Sequence, residues 1–416
     1  MGQTCVIVGA GVVGVSAALA LQTELAGQGG KVILIDKSGV AAETSQGNAG
    51  AFAFTSVEPM AHPGIVKQVP GWLLDPLGPL SIPPSYAAKL TPWLLRFWRA
   101  SWQDQYRASI AAQAAFMVHC KAATERQIKD VAGEAMILRQ GALHLYDTAA
   151  AFRAAKPSWD LRDEFGVDYT VLKSPEEIAE IQPGLSAEFT HAGFTPGWMS
   201  TTDPKAWVDH LFAAFLQRGG IFRQEELLAV QPEDDGVLLT LTTAPVRADH
   251  VVIAAGAWSH LMAKPLGDHL PLETERGYNT TLPPGAFDLR TSLNFGKHGF
   301  VVSPIKGGVR VGGAVELGGL DLPPNYKRAD HLLTKAARFM PGLDVCNGTQ
   351  WMGYRPSFPD SLPVIGRAKG DRRILYACGH GHFGLTQSAG TAELVADLVI
   401  GRDPSMDLTS FRADRF

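Results

Sequence analysis

Three groups of residues in this chain have types and spacing that could do chemistry. The first is Gly9-x-Gly11-x-x-Gly14, entered from the apolar run Cys5-Val6-Ile7-Val8. An alanine-rich segment from Val15 to Leu25 follows, then Lys31 to Ile35 ending at Asp36 and Lys37. That order predicts a strand–helix–strand unit holding a dinucleotide. Gly9 permits the tight turn, Gly11 lets backbone approach a pyrophosphate, and Gly14 lets the helix pack near the strand. The phosphates then sit at the helix start, at Val12 and Val13, where unpaired N–H groups and the dipole favour negative charge. Asp36 is placed to accept hydrogen bonds from an adenosine ribose. The second group is the small polar loop Glu43-Thr44-Ser45-Gln46-Gly47-Asn48-Ala49-Gly50, whose hydrogen-bonding side chains exceed what packing requires and suit ligand contact. The third is the turn Gly379-His380-Gly381-His382. Its two histidines have no third ligand nearby, so no metal is expected there.

The elements around the glycine unit bear on which dinucleotide it holds. A nicotinamide-binding domain normally continues into a second mononucleotide half. Here loops, helices and a distant meander come next, which argues for FAD. An extended flavin leaves its adenine half on the N-terminal unit, runs past Ser45 to Ala49, and carries its ring towards the far end of the chain.

Further elements follow from periodicity. Pro59 to Pro84 is too rich in Pro and Gly for helix or sheet and reads as a domain crossing. Tyr86 to Val131 reads as two helices, the second with Ile110, Ala114, Met117 and Ala122 at helical spacing. Strands are expected at Ala142 to Tyr146 and Ala192 to Phe194. A helix begins at Asp203-Pro204, an N-cap followed by Pro at N1, and stops at Gly219-Gly220. Leu227 to Val230, Val237 to Thr242 and Val251 to Ala254 read as a meander whose last strand runs into Gly256-Ala257-Trp258-Ser259. Phe300 to Val302 and Val309 to Gly313 flank a Lys306-Gly307-Gly308 hairpin turn. Ile374 to Cys378 reads as a strand, and Gly384 to Leu398 as a glycine-initiated helix.

The 416 residues, 46% hydrophobic and 19% charged, are those of a soluble globular protein of two to three domains. A net charge of -4 without a charged tail gives no sign of a nucleic-acid partner. Cys5, Cys120, Cys346 and Cys378 lack CxxC spacing and read as buried small hydrophobes, neither disulfides nor a zinc site. The first strand starts almost at residue 1, so no signal peptide is expected and the location is expected to be cytoplasmic. Trp93-Leu94-Leu95-Arg96-Phe97-Trp98, with Trp102, reads as aromatic packing of a helical subdomain. Its alternative is an amphipathic surface helix touching the inner face of the plasma membrane.

Trp351-Met352-Gly353-Tyr354-Arg355-Pro356 and Cys378-Gly379-His380-Gly381-His382-Phe383-Gly384-Leu385-Thr386, with Glu43-Thr44-Ser45, Asn48-Ala49-Gly50 and the Ala254 to Ser259 turn, carry a resemblance. The chain resembles the FAD-dependent D-amino-acid oxidase superfamily, nearest to bacterial D-amino-acid dehydrogenases and glycine oxidases. That resemblance implies an α/β fold: a Rossmann-like FAD-binding domain of glutathione-reductase type interleaved with a mixed-sheet substrate domain. The expected division is 1–80, 200–265 and 346–416 for FAD, and 81–199 and 266–345 for substrate. It implies that Arg355 grips the substrate carboxylate, a task suited to a planar fork; a salt bridge from Arg355 to Asp360 is the purely structural alternative. It implies cofactor contacts at Gly9, Gly11, Val12, Val13, Gly14, Asp36, Lys37, Thr44, Ser45, Asn48, Ala49, Gly50, Ala255, Gly256, Trp258, Gly381, Gly384, Leu385 and Thr386. The last three begin a helix whose N–H groups point at the flavin pyrimidine edge. Tyr278 is expected on the substrate side of the ring, with a packed core tyrosine as its alternative; His382 is expected as a second polar contact, and His298 as a weaker pocket candidate whose alternative is a plain loop residue.

The implied reaction is hydride transfer from an amino-acid α-carbon to flavin N5, giving an imino acid that hydrolyses to a 2-oxo acid. A broad D-amino-acid dehydrogenase leads. Enzymes of secondary or cyclic amine acids (4-hydroxy-D-proline, sarcosine, iminodiacetate) or of glycine stand beside it, as does an FAD-carrying electron-transfer subunit of a hetero-oligomer. The acceptor is a quinone, an electron-transfer protein or oxygen. No cysteine lies in Gly353 to Pro356, so the flavin is expected to be non-covalent.

Overall fold

The computed structural model describes residues 2–75 and 78–416. Thr4–Val8 pairs in parallel with Lys31–Asp36 on one side and with His250–Ile253 on the other. Ile221–Gln224 and Ile374–Cys378 extend this sheet in parallel, and Val364–Arg367 closes one edge antiparallel. The inner strands of this sheet are almost wholly apolar because both faces are covered. Cys5, Ile7, Val32 and Leu34 pack against the helices Val12–Ala26, Pro204–Gln217 and Gly384–Ile400. The alternate residues Val6, Val8, Val251 and Ile253 pack under a three-stranded sheet, Leu227–Glu233, Gly236–Leu241 and Val246–Ala248.

Local chemistry explains the joints. Asp203 caps its helix by accepting from the Lys205 N–H at 3.0 Å, with Pro204 at the first position. Lys306 and Gly307, at φ 54° and 76°, form a two-residue hairpin turn between Phe300–Ile305 and Gly308–Leu317. That left-handed pair matches the twist of the strands it joins.

A second, nine-stranded sheet contains Ala142–Tyr146, His191–Thr195, Glu273–Leu282, Ser292–Phe295, Phe300–Ile305, Gly308–Leu317 and Thr349–Ser357. Period-two alternation gives it two unlike faces. Leu293, Phe295, Phe300, Val302, Val309 and Val311 pack with Leu332, Ala336 and Phe339 of the helix Lys327–Phe339. Their neighbours Ser292, Asn294, Val301, Ser303, Arg310 and Gly312 face a cavity.

Several expectations are corrected. Pro59 to Pro84 is not wholly irregular: Ile65–Leu74 is a helix with Pro70 inside it, and Leu80–Ser81 is a short strand. Pro76 and Leu77 of that stretch lie outside the described residues. Val251 to Ala254 does not belong to the meander, whose third strand is Val246–Ala248; it is central to the parallel sheet. Cys346 is exposed, whereas Cys5, Cys120 and Cys378 are buried, and all four are free. In the helix Pro84–Ala100, Trp93 packs with Leu90 and Leu317, while Leu95, Trp98 and nearby Trp102 are exposed. Among the described residues no helix is long and apolar enough to cross a membrane.

Candidate active site

A cavity of about 1200 Å³ is lined from both sheets. It is larger than most small-ligand pockets, about 300–1000 Å³, and suits a long ligand. At one end lie Gly9, Gly11, Val12, Val13, Asp36 and Lys37. Gly9 has φ 108°, and a Cβ there would lie 2.4 Å from the Ala254 carbonyl oxygen. A Cβ on Gly14 would lie 1.8 Å from the Gly9 oxygen, so the helix rests directly on the strand end. The helix has no acidic residue in its first turn, and its Val12 N–H donates to Ser45 Oγ at 2.9 Å. Asp36 accepts from the N–H groups of Ala10, Ser38 and Gly39 at 2.8, 2.7 and 3.0 Å. A carboxylate offers about four lone-pair sites, so one remains for a sugar hydroxyl. Lys37 Nζ sits 3.8 Å from Glu226 and 5.8 Å from the Trp258 ring centre.

The polar loop is fastened from the second sheet. Asn279 Nδ2 donates to the Gly47 carbonyl at 2.8 Å, and Arg310 Nη1 to those of Asn48 and Gln46 at 2.5 and 3.3 Å. Burial lowers Arg310 to about 10, still charged at neutral pH. Thr44 Oγ1 donates to the Tyr354 carbonyl at 2.7 Å. Asn48 bonds the Ser45 carbonyl and the Gly50 N–H, both at 2.7 Å. Thr44, Ser45, Asn48 and Ala49 line the cavity, as do Ala255, Gly256, Trp258, Gly381, Gly384 and Leu385. Gly14, Gly50 and Thr386 lie behind this wall. The Thr386 hydroxyl accepts from the Ala53 N–H at 3.0 Å and so ties the loop to the last helix.

The far end is built on two paired strands. Glu273–Leu282 and Thr349–Ser357 run antiparallel, with Glu275 opposite Arg355, Gly277 opposite Gly353, and Asn279 opposite Trp351. Directly opposed residues share a face. The two glycines leave a shallow recess that two large side chains cover. A Cβ on Gly277 would lie 2.1 Å from Arg355 Cζ, and one on Gly353 1.9 Å from the Trp351 ring. Arg355 Nη1 donates to the Ala314 carbonyl at 3.0 Å. Burial lowers the Arg355 pKa, and the charge of Glu275 opposes that. Asp360 is not its partner: that carboxylate takes Arg415 at 2.7 and 3.2 Å. Among the described residues no carboxylate forms an ion pair with Arg355.

His382 Nε2 lies 2.6 Å from Glu275 Oε2. Burial raises the Glu275 carboxyl, but His382 and Arg355 outweigh this and hold it below its ordinary value. His380 turns the other way, bonded to Thr391 at 2.9 Å, and burial drives it down to about 3.

Tyr278 borders the cavity, but its hydroxyl fits the core-tyrosine alternative. Alternation along Glu273–Leu282 sends its side chain to the opposite face from Glu275 and Gly277. Its hydroxyl donates to Glu316 at 2.5 Å and accepts from the Asn325 N–H at 3.0 Å, leaving no proton for a substrate. Burial and Glu316 raise it to about 12. His298 is bonded to Asp147 at 3.1 Å, outside the cavity wall. Residues missed by sequence reasoning are Glu275, Asn279 and Arg310. The i, i+2 spacing of Glu275-Gly277-Asn279 and of Trp351-Gly353-Arg355 is the strand signal that marks the first two.

Similarities to known proteins stand beside this geometry. The DAO family, described as FAD dependent oxidoreductase, matches residues 4–398. A D-amino-acid oxidase of Bradyrhizobium diazoefficiens is 34% identical over 423 residues, covering 100% of this chain and 99% of that protein. A D-amino acid dehydrogenase of Xylella fastidiosa is 31% identical, covering 95% of this chain and 92% of that one. The fold matches that of glycine oxidase from Geobacillus kaustophilus with a TM-score of 0.79 at 21% identity, covering 100% and 99% of the two chains.

Proposed function

Because the chain belongs to the DAO family of FAD-dependent oxidoreductases, we propose that it oxidises the C–N bond of an amino acid, as a D-amino-acid dehydrogenase. The product is an imino acid, which water hydrolyses to a 2-oxo acid. The observation that carries this reading is Arg355: a cavity-facing guanidinium on a glycine recess, without a carboxylate ion-pair partner among the described residues. Buried cations are normally paired, and a substrate carboxylate supplies the missing partner. The relatives named for D-amino acids at 31–34% identity support the substrate class.

FAD, when bound, supplies the two-electron acceptor for a hydride from the substrate α-carbon. Gly9, Gly11, Val12 and Val13 would hold its pyrophosphate, Asp36 its ribose, and Ser45 to Ala49 its middle. Gly381, Gly384 and Leu385 border the ring end, where a helix N-terminus favours negative charge. Arg355 fixes the carboxylate by two parallel N–H donors and so orients the α-carbon. Trp351 covers the recess beside it and keeps water from that wall. A separate acceptor would take the electrons from the cofactor, and Gly353 to Pro356 has no cysteine that would tether it.

The test is flavin bleaching by the purified single chain under anaerobic conditions, across D-, L-, cyclic and N-substituted amino acids. Bleaching by D-amino acids and not by their L-enantiomers is expected. Bleaching by none of them, in protein that retains its flavin, overturns the reading.

A further inference from the structure

Resting on the amino-acid reading above, we propose that Glu275 and His382 form a carboxylate–imidazole pair that takes the proton from the substrate ammonium, with His382 Nδ1 as acceptor and Glu275 as the positioning residue. The geometry is that of an oriented base. Glu275 is 3% exposed, and its 2.6 Å contact requires the proton of a neutral imidazole to sit on Nε2. The lone pair is then on Nδ1, which has no hydrogen-bond partner among the described residues. The His382 side chain is 35% exposed and lines the cavity that Arg355 also lines.

The surrounding charges favour the transfer. On the Glu273–Leu282 strand, Glu273 is taken by Tyr86, and Arg276 and Tyr278 lie on the other face. On Thr349–Ser357, Arg355 is the charged group that shares a face with Glu275. His380 is neutral, and the helix Gly384–Ile400 brings its first carboxylate only at Glu393, which pairs with Arg126. Before substrate arrives, Arg355 forms no ion pair with Glu275, but its charge acts on that carboxylate across the strand pair. A bound carboxylate takes up the charge of Arg355, and Glu275 is then balanced best by an imidazolium at His382. Carboxylate binding and ammonium deprotonation are thereby coupled.

The step balances. One N–H bond of the ammonium breaks, its electron pair stays on nitrogen, and the proton bonds to Nδ1. The freed pair forms C=N as the α-hydrogen leaves with two electrons to FAD, so the substrate is oxidised to an iminium and FAD is reduced. An ammonium without a lone pair cannot do this.

The experiment uses FAD-loaded wild type, His382→Gln and Glu275→Gln, with flavin content and melting temperature measured for each. Anaerobic flavin reduction by a D-amino acid is followed from about pH 6 to about pH 10. At pH 7 His382→Gln is expected to reduce flavin about 100-fold more slowly, the deficit closing as the ammonium ionises unaided. Glu275→Gln shifts the profile the same way by a smaller amount. Independently of turnover, the Kd of 2-aminoisobutyrate, which has both charged groups but no α-hydrogen, is read from the flavin absorbance shift. It weakens towards acid in wild type and is flat in His382→Gln. An unchanged pH profile in His382→Gln, or a deficit equal at every pH, overturns the pair while leaving the amino-acid reading intact. Wild type bleached by no amino acid overturns both.

Discussion

Gly277→Ala separates the substrate clamp from the fold. The new Cβ would lie 2.1 Å from Arg355 Cζ and Nη2 and 2.5 Å from Nη1. Comfortable contact needs about 3.5 Å or more, so the guanidinium must move by more than about 1 Å. It is the far end of a flexible side chain, so it moves without disturbing backbone, and Gly277 has no positive φ that alanine would strain. The displaced fork then makes one carboxylate hydrogen bond instead of two. A hydrogen bond to a charged group contributes about 1.5–3 kcal/mol, which converts to roughly 10- to 150-fold in Kd. Stopped-flow reduction of the flavin against amino-acid concentration gives that Kd directly, and thermal melting reports the fold. The expected result is a Kd raised 10-fold or more, with a melting temperature changed by no more than about 2 °C. Gly353→Ala is the contrast. Its Cβ meets a rigid ring, Trp351, that also packs on Gly47, so its cost falls on stability. An unchanged Kd in flavin-loaded Gly277→Ala refutes the assignment of Arg355.

Gly9→Ala combines a left-handed φ with a clash against the Ala254 carbonyl; it is expected to cost about 1–3 kcal/mol in backbone strain alone and to yield protein without retained FAD, read by absorbance. Asp360→Ala frees Arg415 and loosens the C-terminal segment, lowering the melting temperature by a few degrees, about 1–2 kcal/mol, with substrate Kd unaltered. Burial drives the His380 and His144 imidazoles down to about 3. The unfolded chain takes up protons at both sites below about pH 6.5 and the folded one does not, so stability falls as pH drops from 6.5 towards 3. Between pH 6.5 and 5 the loss is roughly 2 kcal/mol per histidine, and denaturant midpoints of His380→Gln are expected to show its share removed.

The first strand–helix–strand unit was legible because it is local: Gly9, Gly11, Gly14 and Asp36 are specified by one turn, one helix start and one strand end, and the elements they mark are the ones observed. The Lys306-Gly307 turn and the Asp203 cap were readable for the same reason. What depends on distant pairing was not. Val251 to Ile253 pairs with strands at both termini, and local order joined it instead to the preceding meander, although its unbroken apolar run is the mark of a strand buried on both faces. Glu275 acquires its meaning only when the strand register sets it across from Arg355. The sequence left the substrate and core readings of Tyr278 open because one residue of offset reverses the face a side chain takes. The Ile65–Leu74 helix was hidden by Pro70, which leaves the Val66 carbonyl without an in-helix donor; Val66 is exposed, so water can serve.

Whether Arg355 meets a substrate carboxylate is read directly by one measurement. Flavin reduction under anaerobic conditions is compared for a D-amino acid and its amide, in wild type and in Arg355→Met. Fast reduction of wild type by the acid, with the amide and the variant both slower by about 100-fold or more, is the predicted result. Equal rates for acid and amide in wild type, or an Arg355→Met enzyme that keeps its preference for the acid, would contradict it.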